Sequence, residues 1–524
     1  MREFNTTGVC IPEEHYMVDI TEKLQQIIKL IEKKKYFTIN RGRQYGKTTT
    51  FALLERNLAK QYDVVSVSFE GVGSQAFSSD AYFVRQLITL FTDAFAFTDI
   101  SEERTQQWSN CEDLDEYMEK RGDAFDYLSK KITSLCKDNP KEILLFVDEV
   151  DKSSDNQIFL HFLGMLRNKY LQRARGRDFT FKSVILAGVY DIKNLKLKLR
   201  PEDEKKYNSP WNVAVDFNVD MSFSPREIET MLLQYEEEHN TVMDTEKISQ
   251  EIYAYTSGYP YLVSWICKWI DENQNATWSM ESIQKAIKEL MNNKNCTLLD
   301  DLKKNVENNQ QLKQLIMNML YEGKQYTYNV ANPVIELGEM FAIFSKREEM
   351  LAISNKIFEL YLYNYSISVK ETEDDFSFPE RNQFIENGKL DIELVLTKFQ
   401  EFIKAEYRKE DGKFIEQQGR LLFLCFLKPI INGTGFYYVE PETRNSERMD
   451  IVVSYGTEEF IIELKIWHGE QYRKKGIAQL EKYMNGRNAK RGYLVSFSFL
   501  ENKEYKAEWI TKKETEFDIF EVVI

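Results

Sequence analysis

Residues 36–58 read YFTINRGRQYGKTTTFALLERNL, and this stretch decides the fold. A short β-prone run, Tyr36 to Asn40, enters the loop Arg41-Gly42-Arg43-Gln44-Tyr45-Gly46-Lys47-Thr48, and a helical pattern follows through Leu58. A loop between strand and helix that ends in Gly-Lys-Thr wraps backbone N–H groups around phosphates, and the helix N-terminus adds positive potential. Gly42, Gly46, Lys47, Thr48 and Thr49 are therefore the candidate nucleotide-binding residues. Gly46 lets the backbone approach closely, Lys47 neutralises β and γ phosphates, and the Thr48 hydroxyl holds Mg²⁺. Arg41 stands where the first glycine of the usual pattern falls, so the entry to this loop must be shaped differently.

The matching half of such a site is ILLFVDE, residues 143–149. Leu144 to Val147 form an apolar strand that delivers Asp148 and Glu149 to the C-terminal edge of a sheet, where ligands bind in open α/β folds. Asp148 would fix the metal or its water, and Glu149 would polarise the attacking water. Tyr190 and Asp191 are candidates for sensing the γ-phosphate, and Arg200 for an arginine finger, each with an ordinary surface or capping role as the alternative.

Working outward, YFTIN, DVVSVSFEG, EILLFVDEV and SVILAGVYD alternate with stretches long enough to cross over between parallel strands, the rhythm of an α/β sheet with helices on both faces. After Phe217 the pattern turns helical. Ser224-Pro225-Arg226-Glu227 combines an N-cap hydroxyl, a proline at the first helical position and a Glu at the third. Ile228, Met231, Leu232 and Tyr235 follow at helical spacing, and Leu262, Val263, Ile266, Trp269 and Ile270 supply the buried stripe of a further helix. The expected organisation is an α/β P-loop domain over 1–220, a helical lid over 221–295, a middle module over 296–370 and a C-terminal α/β domain over 371–524. The middle module reads either as a winged helix or as helical filler.

The 524 residues contain 69 Lys and Arg against 84 Asp and Glu, a net charge of −15, which excludes a protein that coats nucleic acid with its whole surface. No apolar run is long enough to span a bilayer, and the N-terminus lacks the apolar core of a signal peptide, so a cytoplasmic protein without a membrane partner is expected. Four His and six scattered Cys leave little material for a His-based centre or a zinc site. Any chemistry must rest on carboxylates, Lys, hydroxyls and backbone.

A second constellation lies in RMDIVVSYGTEEFIIELKIWHGEQYRKKGIAQLEKYM, residues 448–484. Folding about Tyr455-Gly456-Thr457 places Asp450 roughly opposite Glu463, while Phe460, Ile462, Leu464 and Ile466 face one side and Glu463 and Lys465 share the other. Asp450 and Glu463 can ligate Mg²⁺ or Mn²⁺, which binds a scissile phosphate and lowers the pKa of a water, and Lys465 can orient that water. Glu416 and Gln479 are further candidates, from the helices before and after the hairpin. A half-exposed strand with a cross-strand polar network is the plainer alternative. Arg473, Lys474, Lys475, Lys482, Arg487, Lys490 and Arg491 then cluster with few acids, either as a grip on a nucleic-acid backbone or as a solvated face.

NRGRQYGKTTT with ILLFVDEVD resembles the ATP-binding domain of bacterial AAA-ATPase-like proteins, whose loop is similar to R-P-R-R-F-G-K-S; Gly42, Gln44 and Tyr45 replace Pro, Arg and Phe. The tail, with elements beginning at Glu416, Arg448, Ile462 and Gln479, resembles the PD-(D/E)XK nuclease domain that often ends such chains, and TSGYP resembles the lid motif of related signal-transduction ATPases. The resemblance implies an ATPase joined to a nuclease fold, and the expected function is an ATP-controlled, Mg²⁺-dependent nuclease acting on DNA or RNA. A nucleotide-switched scaffold that grips nucleic acid or protein without cutting it is the alternative, and an arginine finger in trans would require a homo-oligomer.

Overall fold

The computed structural model describes residues 2–150, 157–189, 211–273, 277–321, 325–373, 381–406, 416–431, 435–438, 451–456, 458–467, 469–487, 489–498, 503–510 and 517–524. The chain forms two units: Met1–Leu290 together with Val330–Ser345, and Met291–Asn329 together with Lys346–Ile524.

The first unit is built on four parallel strands, β1 (Phe37–Asn40), β2 (Asp63–Ser68), β3 (Ile143–Asp148) and β4 (Ser183–Gly188), in the order β1-β4-β3-β2. Val215 adds a single parallel bridge to Phe37 on the outer side of β1. The strand period of two sorts the side chains onto two faces. Leu144 and Phe146 of β3 join Phe37, Ile39, Ile185 and Ala187 under helices Thr21–Glu32 and Lys47–Leu58. Leu145 and Val147 join Val65, Val67, Val184 and Leu186 under helices Asp80–Phe95, Ala124–Asp138 and Gln157–Ala174. A strand buried on both faces has no polar position to spare, which is why ILLFV is apolar throughout.

The helix expected to open the lid spans Pro225–His239, with the Ser224 Oγ accepting from Glu227 N–H and the Glu227 carboxylate accepting from Ser224 N–H at 2.7 Å. It buries Ile228, Met231, Leu232 and Tyr235, the residues its periodicity nominates. In helix Pro260–Asn273 the buried stripe is Leu262, Val263, Ile266, Cys267 and Ile270, and Trp269 is only half-buried. Cys267 sits four residues after Val263 and takes the place on the inner face that Trp269, two positions further round, cannot reach.

Helices Thr297–Glu307, Gln310–Tyr321 and Pro333–Met340 precede the short strands β5 (Phe344–Arg347) and β6 (Met350–Ile353), and helix Lys356–Glu373 follows. The next strands, β7 (Ile385–Glu386) and β8 (Lys389–Leu390), form a small hairpin. The C-terminal sheet contains β9 (Gly435–Tyr438), β10 (Ile451–Tyr455), β11 (Glu458–Ile466), β12 (Arg491–Phe497), β13 (Lys506–Trp509) and β14 (Asp518–Val523), ordered β13-β14-β12-β11-β10-β9. It is mixed: β9, β10 and β11 are antiparallel neighbours, β11-β12 and β12-β14 are parallel, and helix Glu470–Arg487 makes the crossover from β11 to β12. Among the described residues no helix is long and apolar enough to cross a membrane.

Candidate functional site

The loop after β1 closes on itself through two residues in the left-handed region, Gln44 at φ 56° and Gly46 at φ 76°. Gly46 makes the second of these free of strain, and its carbonyl accepts from both Thr50 N–H and Thr50 Oγ1, at 2.9 Å each, sealing the first helical turn. Lys47 Nζ donates to the carbonyls of Arg41 and Gly42, both at 2.9 Å, so the ammonium sits inside the loop on its own backbone. A phosphate entering the loop would find the charge already in place.

The two halves of the site, a hundred residues apart, meet directly: Thr48 Oγ1 donates to Asp148 Oδ2 at 2.8 Å. The other carboxylate oxygen, Oδ1, accepts from the backbone N–H of Glu149 at 2.8 Å. That bond accompanies a φ of 54° at Glu149, a conformation that side-chain-bearing residues adopt only when the surroundings impose it. Thr48 and Asp148 thus offer hard oxygen donors side by side, a set suited to Mg²⁺. Burial pushes the nearby Glu55 carboxyl above its ordinary range, a Ser66 hydrogen bond opposes this, and the Asp148 charge adds to it.

Several neighbours of the loop were not legible in the sequence. Arg41 turns away from the phosphate position, donating to the carbonyls of Asn40 and Val219 at 2.9 Å with its guanidinium 5.5 Å from the Phe217 ring centre. It ties β1 to the adjoining segment, which accounts for an arginine where glycine is usual. Gly42 is small for a different reason than phosphate approach alone: a Cβ there would lie 2.9 Å from the Ala342 Cβ and 3.4 Å from the Tyr259 hydroxyl. Tyr259, in the TSGYP stretch, donates to the Arg43 carbonyl and meets the Tyr45 ring edge-on at 4.6 Å. The Thr49 hydroxyl accepts from the backbone N–H of Cys10 at 3.2 Å. Tyr190, Asp191 and Arg200 lie outside the described residues.

In the C-terminal sheet, Ile451 of β10 stands opposite Ile462 of β11. Glu463, the next residue, is 1% exposed, and its Oε1 lies 2.8 Å from Lys465 Nζ. Asp450 and the Glu416 side chain lie outside the described residues. The register places Glu463, Leu494 of β12 and Glu521 of β14 in one row across the sheet. Helix Glu470–Arg487 covers that face: a Cβ on Gly476 would sit 3.3 Å from both Lys465 Cγ and Leu494 Cδ1, and half-buried Gln479 follows one turn later. Arg473, on the same helix, holds the buried Glu521 carboxylate from Nε at 2.8 Å and from Nη2 at 2.8 Å. It is therefore committed to the interior and does not belong to the basic surface; Lys474, Lys475, Lys482, Lys490 and Arg491 are exposed, and the Arg487 side chain lies outside the described residues. Among the described residues no cluster of three or more His, Cys, Asp or Glu is poised to hold a metal.

The parallel sheet, the Gly-Lys-Thr loop at the head of a helix and the acid at the end of β3 define a P-loop NTPase. Residues 12–364 match the family described as an AAA-like domain, well over half of the chain, and the protein belongs to that family. Among solved structures, a Walker-type ATPase of Pyrococcus abyssi is similar over 68% of this chain and 99% of its own, at 11% identity and a TM-score of 0.48. The Aeropyrum pernix ORC2 protein in its ADP form matches over 70% and 97%, at 13% identity and a TM-score of 0.36. The A. pernix ORC1 protein in complex with DNA matches over 68% and 94%, at 11% identity and a TM-score of 0.30. No curated protein matches.

Proposed function

We propose that this AAA-like protein binds and hydrolyses ATP and uses the nucleotide state to control a C-terminal domain that cleaves nucleic-acid phosphodiesters with Mg²⁺. At the first site, Lys47 would bind the β and γ phosphates, Thr48 and Asp148 would hold Mg²⁺, and Glu149 would orient the attacking water. The reading keeps the division into an ATPase domain over 1–220, a lid over 221–295, a winged-helix-like module over 296–370 and a PD-(D/E)XK-like domain over 371–524.

The observation that carries the second activity is Glu463. A carboxylate 1% exposed in a central strand is costly unless it has a task, and its neighbour at 2.8 Å is a lysine. The order helix, β9, β10, β11, crossover helix, β12 around it supports the nuclease-like reading. Mg²⁺ or Mn²⁺ held by Asp450 and Glu463 would bind the scissile phosphate and acidify a water. Lys465 would release Glu463 to the metal and orient that water; Glu416 and Gln479 would complete the polar lining.

Cleavage and ATP turnover measured side by side in wild type, Lys47→Ala and Asp450→Ala test this. Wild type should cut DNA or RNA with Mg²⁺ or Mn²⁺, Asp450→Ala should lose cutting with ATP turnover kept, and Lys47→Ala should lose turnover. If wild type and Asp450→Ala are equally inert on varied substrates, while Lys47→Ala abolishes ATP-dependent binding, the C-terminal domain is a gripping module and the nuclease reading falls.

A further inference from the structure

Among the described residues β13 is the last strand of the C-terminal sheet, paired with β14 on one side only. The register, Lys506 with Val523 through Trp509 with Phe520, extends to Ile510, whose N–H donates to the Ile519 carbonyl at 2.8 Å. In an antiparallel strand the backbone groups of successive residues point alternately to the two sides. Lys506, Glu508 and Ile510 therefore turn theirs toward β14, and Tyr505, Ala507 and Trp509 turn theirs outward. Among the described residues no hydrogen bond reaches that outer edge. The described side-chain bond to this strand, from Gln400 Nε2 to the Lys506 carbonyl at 2.8 Å, falls on a residue of the inward set.

An open edge is either blunted or used. The side chains here are self-complementary. Around Ala507 the order is Tyr-Lys-Ala-Glu-Trp. An antiparallel copy centred on Ala507 brings Lys506 of each copy opposite Glu508 of the other on one face. On the other face it brings Tyr505 opposite Trp509, which are 39% and 42% exposed. Glu508 is exposed and can reach such a partner. Its neighbour across β14 is Glu521, whose charge is taken by Arg473, and Lys506 approaches it only to 3.9 Å within the strand. The Ala507 pair would exchange two backbone hydrogen bonds on the two-fold axis, with further pairs at 505 and 509, the geometry of an isologous contact.

We propose that the chain self-associates through this edge, as a two-fold dimer in which the two β13 strands pair antiparallel about Ala507 and join two C-terminal sheets into one. Sedimentation velocity on the full chain from ~1 to ~100 µM, a range that brackets micromolar affinity, tests it. Wild type should pass from monomer to dimer. Lys506→Glu, which sets like charges against each other at both symmetry-related positions, should weaken association by about tenfold or more. Adding Glu508→Lys to Lys506→Glu reverses both charges and should restore it. Ala507→Pro removes the central donor and should abolish the dimer. All three positions of change are on the edge strand β13, and circular dichroism of each variant verifies the fold. A wild-type chain that stays monomeric throughout, a dimer indifferent to Lys506→Glu, or a folded double variant that fails to re-associate overturns the proposal.

Discussion

Lys169 is the most deeply buried cation of the first unit's described residues, with a side chain 1% exposed, and its three protons are all used. Nζ donates to Asp178 Oδ2 at 2.8 Å, Thr133 Oγ1 at 2.7 Å and the Ser129 carbonyl at 3.0 Å. Asp178→Ala would strand a buried ammonium and should cost about 3–5 kcal/mol, whereas Lys169→Met removes the charge, keeps the volume and should cost less. Urea unfolding midpoints of the two variants check the order. If Lys169→Met is the more damaging, the bond network outweighs the charge. Glu55 makes a pH-dependent case. Its carboxyl is pushed up by burial, so the fold retains a proton that the unfolded chain releases, and stability falls as pH rises through the window above the ordinary Glu value. Glu55→Gln should therefore gain stability over wild type near pH 7 and lose that gain near pH 4. Thermal midpoints across pH, with a gain that grew toward acid, would rule burial out as the cause.

At the scale of elements, helix Pro225–His239 shows what short-range sequence can tell. Ser224, Pro225 and Glu227 are within one turn of each other, and the reciprocal cap they promise is present. Lys23 from helix Thr21–Glu32 then adds bonds to Glu227 at 2.6 Å and to the Ser222 carbonyl at 2.7 Å. Ser224→Ala should cost about 1 kcal/mol of stability in this helix, and Ser224→Asp should recover most of it; hydrogen exchange at Ile228 and its neighbours reads both. The apolar run Leu144 to Val147 likewise lies within strand β3, because consecutive apolar residues suit a strand buried on both faces. The contacts of Tyr259 with the Arg43 carbonyl and of Cys10 with Thr49 could not be seen in the same way. They join residues distant in sequence, and no local pattern constrains a hydroxyl to a backbone carbonyl two hundred positions away. Arg473 illustrates the converse error: its neighbours are basic, so it reads as surface, while its partner Glu521 stands forty-eight residues later on strand β14.

For the whole molecule, a net charge of −15 confines any nucleic-acid contact to local basic surface. Lys474, Lys475 and Lys482 are exposed on the crossover helix that covers Glu463 and Lys465. Changing all three to Glu should lower the slope of log affinity against log salt by roughly 2–3 for a duplex ligand, with anisotropy over a KCl series as the measurement. An unchanged slope would place the contact elsewhere. Gradual changes of pattern also could not disclose that Val330–Ser345 belongs with the first unit while the residues on either side of it belong with the second. That division has a bearing on how the protein is made. Ala342, which rests on Gly42, leaves the ribosome roughly 300 residues after the loop it contacts, a delay of ~15–60 s at ordinary synthesis rates. During that interval residues Met291–Asn329 of the second unit have already been synthesised, so the loop gains its Ala342 neighbour only after part of the second unit exists, and ATP present during synthesis would meet a loop without that neighbour.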